Sequence, residues 1–139
     1  MINKTTWMQS ILDSIRDIAD LDFQKKAWLD FDENCVCSFE ELISNLYDYS
    51  GLNKFIDQHI KKFYLTTEQE ELLILLREGI DDFYYKPSIY YDALPPQIDE
   101  NKVLVDPDWH EIRLIAQQVL DAFKDYKINE EDDIQINLN

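Results

Sequence analysis

Apolar positions recur at helical spacing along most of the chain. Trp7, Ile11, Leu12, Ile15, Ile18 and Ala19 form one stripe, which predicts a helix over 6–19 with Thr6 and Gln9 placed as a capping box. A shorter cluster at Phe23, Ala27, Trp28 and Leu29 predicts two turns begun by Asp22 and stopped by the acidic run 30–33. Ser38 with Glu41 repeats the capping-box spacing before Leu42, Ile43, Leu46 and Tyr47, and Gly51 stands where a helix ends in the left-handed conformation. Asn53 is placed to cap a segment carrying Phe55, Ile56, Ile60 and Phe63. Thr67 with Glu70 opens the most apolar helix, over 67–84, in which Leu72, Leu73, Leu75, Leu76, Ile80 and Phe83 are expected to be buried. Gly79 within it costs about 1 kcal/mol relative to alanine, which predicts close packing against a neighbour.

The period then lapses. Residues 86–105 carry Pro87, Pro95 and Pro96 and one short β-like run, 102–105, and are read as a long connection. The next helix starts clearly at Asp106 as cap and Pro107 in the first turn, and its stripe runs from Trp109 through Ile112, Ile115, Ala116, Val119 and Leu120 to Phe123. From 128 to 139 the chain turns polar and acidic and is expected to fray. The pattern predicts an all-α domain over 1–127, a bundle of five or six helices with one long loop at about 86–105. Its core is expected where the 67–84 and 107–125 helices pack against the first.

Composition sharpens this. With 45% apolar residues in 139, the chain can bury a real core, and two glycines are too few for an all-β domain or a phosphate-cradling loop. Twenty-nine acidic against 13 basic side chains give a charge of -16, which repels nucleic acid and anionic membrane surfaces and suits a basic protein partner. The longest apolar run, 72–76, falls far short of the ~20 residues of a membrane span, and Asp13, Asp17 and Asp20 interrupt any signal-like segment. A cytoplasmic protein is expected, with Cys35 and Cys37 as thiols.

Three groupings offer chemistry. Asp30, Asp32, Asn34, Val36, Ser38 and Glu41 match the ligand positions of a twelve-residue calcium loop, but Cys35 occupies the position where the sharp turn calls for glycine. Cys35, Cys37, His59 and His110 supply zinc-ligand types without zinc-site spacing, and His59 beside Lys61 and Lys62 reads as part of a solvated face. No metal or cofactor is expected. The sequence carries no nucleophile or phosphate-binding motif, so no enzymatic activity is expected either. The third grouping is aromatic and acidic: Asp81, Asp82, Tyr84, Tyr85, Tyr90, Tyr91 and Asp92, with four of the eight tyrosines between 84 and 91. Tyrosines anchor interfaces at small entropic cost and carboxylates steer basic partners, so this composition suits a protein-binding surface.

The acidic helical chain, its Ser-x-x-Glu capped helix, its Tyr-Tyr pairs near proline and its Asp-Pro-Asp-Trp helix start resemble bacterial toxin-immunity proteins, including those of colicin nucleases and of contact-dependent or other polymorphic toxins. The resemblance implies binding, not catalysis. It assigns recognition of a basic toxin domain, of nuclease type, to the acidic helix over 38–49 and to Tyr84-Tyr85 or Tyr90-Tyr91. A single calcium-binding module at 30–41 and a small acidic secretion chaperone are the alternative readings.

Overall fold

The computed structural model describes residues 2–34, 37–91, 95–129, 133 and 135–136. Among the described residues, seven α-helical segments run in the order α1 (Lys4–Ala19), α2 (Leu21–Trp28), α3 (Phe39–Ser44), α4 (Leu52–Lys54), α5 (Thr67–Tyr84), α6 (Glu100–Val105) and α7 (Pro107–Ala122). Helix α3 continues through a π-helical turn at Asn45–Tyr49, and α4 continues through a second at Phe55–His59 and a 3-10 turn at Ile60–Phe63. The fold is all-α, as the periodicity predicted.

Two helices start on the expected cap, and the others start elsewhere than the spacing predicted. Ser38 and Asp106 cap α3 and α7, accepting from the Glu41 and Asp108 backbone N–H groups at 3.1 and 2.9 Å. The first helix begins earlier than the 6–19 stripe, with Asn3 as the cap that accepts from Thr6 N–H. Asp20, not Asp22, caps α2. The capping box of α5 is Thr66 with Gln69, one residue before the expected Thr67 and Glu70. Asn53 caps nothing at its segment's start, because Gly51, at φ 75°, stands before Leu52. A Cβ at Gly51 would also come within 3.2 Å of the Trp7 indole nitrogen, so backbone conformation and close approach both call for glycine.

Helix α7 is the centre of the bundle and packs extensively on both α1 and α5. Ile11, Ile15 and Ile18 of α1, Leu73, Leu76 and Ile80 of α5, and Trp109, Ile112, Ala116 and Val119 of α7 are buried. Leu75 is not: it is 46% exposed, on the outer side of α5, against the expectation that the whole leucine run lies inside. Five consecutive apolar residues cover more than one helical turn, so one of them must face away from the core. An aromatic group closes one end of the core, where Phe39 lies edge-on to Trp109 at 5.2 Å and Phe83 lies 5.4 Å from the same indole.

The region 86–105 is less of a loop than its sequence implied. Pro87–Ile89 forms a 3-10 turn, Tyr90 bridges Ile98, and the run 102–105, read as β-like, belongs to α6. Asp99 caps α6 and Val103 is its buried anchor. Only six residues long, α6 shows no helical period in the sequence. Within 128–139, expected to fray, Gln135–Ile136 pairs antiparallel with Ile2–Asn3, Ile136 is buried, and Asp133 accepts from the Thr5 backbone N–H. Among the described residues no helix is long and apolar enough to cross a membrane.

Candidate binding groove

The acidic helix and the first tyrosine pair, distant in sequence, meet in space. Phe39, at the first turn of α3, is fully buried and stacks on Tyr84 with ring centroids 6.1 Å apart, fixing α3 against the end of α5. Farther along, the Tyr47 hydroxyl donates to Asp81 Oδ1 at 2.6 Å and lies 3.1 Å from the Arg77 carbonyl oxygen. Between these two ties lies a groove of about 310 Å³, walled by Glu40, Ile43, Ser44, Tyr47 and Asp48 on one side and Asp81, Tyr84 and Tyr85 on the other.

Three carboxylates line this groove, and among the described residues no lysine or arginine belongs to its walls. Arg77, one turn before Asp81 on α5, is turned onto Asp57 at 2.7 Å. Burial pushes the Tyr47 phenol far above its ordinary range, and the hydrogen bond to Asp81 adds to that rise. Burial also raises Tyr84, with the field of Glu40 as the next cause. Both phenols therefore stay protonated and can only soften, not cancel, the negative potential. The arrangement offers a slot for a cation, with carboxylates to pair it and ring faces to cover it.

The helix carrying one wall is held from behind. Ser50 ends the π-helical turn, its N–H reaching the Asn45 carbonyl at 2.8 Å. The Trp7 indole N–H donates to the Ser50 carbonyl at 2.8 Å, and the Ser50 hydroxyl donates to the Ser10 carbonyl at 3.0 Å while the Ser10 and Ser14 hydroxyls lie against it. The extra residue in the π-turn changes the direction in which the next side chains leave the helix, a device that recurs at functional sites. Beyond Tyr47 and Asp48 the turn presents Tyr49, 84% exposed, over a second groove of about 350 Å³ that also includes Trp7 and Lys54.

Of the residues singled out in sequence, Asp81, Tyr84 and Tyr85 line the groove and Asp82, Tyr90 and Tyr91 do not. Tyr85 is 78% exposed and rests edge-on against Tyr84 at 5.5 Å. Tyr90 is half-buried and donates to the Tyr84 carbonyl at 2.8 Å, so it braces the connection. Tyr91 and Asp82 are exposed, and Asp92 lies outside the described residues. The groove residues not singled out as individual site residues are Glu40, Ile43, Ser44, Tyr47 and Asp48. Their signal was the i, i+4, i+8 spacing of polar Glu40, Ser44 and Asp48, which marks one face of a helix.

The metal groupings look different in three dimensions. Among the described residues, no three or more His, Cys, Asp or Glu side chains are gathered to hold a metal ion. Of the calcium-loop residues, Val36 lies outside the described residues, as does Cys35 of the zinc grouping. Ser38 Oγ is engaged as the α3 cap, and Asp32 Oδ1 accepts from the Asn34 N–H at 2.9 Å. Burial pushes the Cys37 thiol up to about 11, so it is held as a thiol. His59 is not on a solvated face: it is buried edge-on against Trp7 at 5.2 Å, with Lys62 Nζ 3.0 Å from its Nδ1. Lys61 and Lys62, beside it in the 3-10 turn, are at exposed positions, and Lys61 pairs with Glu70 at 2.8 Å.

No protein-family model matches this chain, and no curated protein or solved structure matches it.

Proposed function

We propose that the protein is an immunity-type binding protein that neutralises a basic toxin domain, of nuclease type, by capturing a lysine- or arginine-bearing surface on the Tyr47–Tyr85 groove. The observation that supports this most is the convergence of the acidic helix with the Tyr84-Tyr85 pair around a slot containing three carboxylates and, among the described residues, no basic side chain. The -16 charge supplies the long-range attraction, chiefly raising the association rate. Exposed Tyr85 supplies ring area that slows dissociation once the surfaces meet. Tyr84 and Tyr47 are already committed to Phe39 and Asp81, so they shape the slot and Tyr85 is its free anchor.

The test is to look beside this gene for a reading frame encoding a basic toxin domain and to co-express the two, scored by survival, together with titration of the purified partners at low and high salt. Tyr85→Ala should weaken binding by about 2 kcal/mol or more at either salt concentration. Glu40→Gln combined with Asp48→Asn should weaken it mainly at low salt, where the screening length exceeds ~10 Å. If all these variants melt like the parent and still protect fully, the groove is not the binding surface.

A further inference from the structure

Another cavity has a mainly basic lining among the described residues. It encloses about 580 Å³, shares no lining residue with the acidic groove, and is bordered by Lys4, Lys62, Lys127, Tyr64, Tyr126 and Asp125 among others. Among the described residues its lining carries three lysines and one carboxylate, Asp125, in a chain whose total charge is -16.

Lys4 is the decisive residue. It is only 5% exposed, and its Nζ donates to the Lys62 carbonyl at 2.6 Å and lies 5.6 and 5.4 Å from the ring centroids of Phe63 and Tyr64. No carboxylate pairs with it among the described residues. An ammonium has three N–H donors, and a buried cation without a counter-ion is costly. One carbonyl and two ring faces offset that cost only in part. Lys62, on the same cavity wall, points its Nζ at His59 Nδ1 instead of a carboxylate. Thr66, the cap of the 18-residue helix α5, also lines the cavity, so the positive end of that helix dipole adds to the field. Glu68 and Glu70 in the first turn oppose it, and Glu70 is paired with Lys61 at 2.8 Å.

We propose that this cavity binds a small oxyanion ligand, a phosphate- or carboxylate-bearing molecule whose acid group meets Lys4, Lys62 and Lys127. Its volume suits a small organic ligand, for which sites of roughly 300–1,000 Å³ are typical. The exposed ring of Tyr64 gives such a ligand a flat apolar surface beside the charges. The acidic remainder of the protein repels an extended polyanion, which favours a small ligand over nucleic acid.

The experiment follows melting temperature and calorimetric titration with phenyl phosphate and, separately, benzoate, at ionic strength held constant with sodium chloride. A ligand that binds only the native state must raise the melting temperature with concentration. At least one probe should do so, and which one identifies the acid group. Lys62→Ala and Lys127→Ala, both at exposed positions, should each weaken that probe about tenfold. Lys25→Ala, on distant α2, should leave the affinity unchanged. The proposal is overturned if neither probe exceeds the effect of sodium chloride, or if Lys62→Ala and Lys127→Ala bind as tightly as the parent.

Discussion

The indole N–H of Trp109 donates to Oε1 of Gln24 at 3.0 Å, joining α7 to α2 across 85 residues of sequence. Both side chains are fully buried, and the Gln24 amide nitrogen reaches the Asp17 and Ile18 carbonyls at 3.0 and 2.8 Å. One glutamine thus satisfies the open end of α1 and the polar atom of the central indole.

Gln24→Leu keeps the approximate volume but leaves the Trp109 N–H and the Ile18 carbonyl without partners, while the Asp17 carbonyl keeps the Asp20 N–H. Unpaired buried polar groups cost about 1–3 kcal/mol each. Urea unfolding should show a stability loss in that range or above it, with the slope of the transition unchanged.

Helix α5 can be tested by one charge at two adjacent positions. Leu76 is fully buried, so Leu76→Asp buries an unpaired carboxylate and should cost several kcal/mol, enough to unfold a domain of ordinary stability. Leu75→Asp, at the half-exposed neighbour, should change stability by less than about 1 kcal/mol. Circular dichroism at 25 °C distinguishes them, and a helical Leu76→Asp protein would contradict the packing of α5 on α7.

Gly79 need not be glycine. A Cβ there would meet Ile112 Cγ1 at 3.5 Å, an ordinary contact, and the glycine carries no positive φ. Gly79→Ala should therefore stabilise the protein by about 0.5–1 kcal/mol through helix propensity and a less flexible unfolded chain. A lower melting temperature would mean that α5 and α7 approach more tightly than this contact indicates.

Burial, and then the Lys62 and Lys54 ammoniums, pull His59 below its ordinary value of 6.5. Since an ammonium only donates, Nδ1 is the acceptor from Lys62 and His59 is neutral, with its proton on Nε2. Above pH 6.5 the ring is neutral in both states and this contribution is fully present. As pH falls from there toward the depressed folded value, the unfolded chain takes up the proton first, and stability is lost. The wild-type stability curve minus that of His59→Gln should therefore slope downward on acidification below 6.5. A flat difference between about pH 7 and about pH 4.5 would refute the neutral buried ring.

Features governed by neighbours along the chain were legible in the sequence. The α3 and α7 caps depend on a side-chain oxygen reaching an N–H two or three residues on, and Ser38 and Asp106 stood out on that basis. At α5 the tandem Thr66-Thr67 and Gln69-Glu70 offer the same chemistry in two registers, and packing selects between them. The start of α1 was misplaced because its first turn precedes the apolar stripe, and α6 was missed because six residues with one buried valine carry no period.

The candidate groove was legible as two halves. Its charge sign and its tyrosines belong to the sequence, but the pairing of Tyr47 with Asp81 spans 34 residues and depends on Phe39 packing beneath Tyr84. By itself the sequence determined most of the helices, the caps of α3 and α7 and the excess of negative charge, because those depend on hydrogen bonds within a turn or on simple counting. Tertiary packing decided which leucine of α5 faces outward, that His59 is buried, and which tyrosine is left free. Those outcomes depend on which distant surface excludes water from each side chain, and no local pattern encodes that.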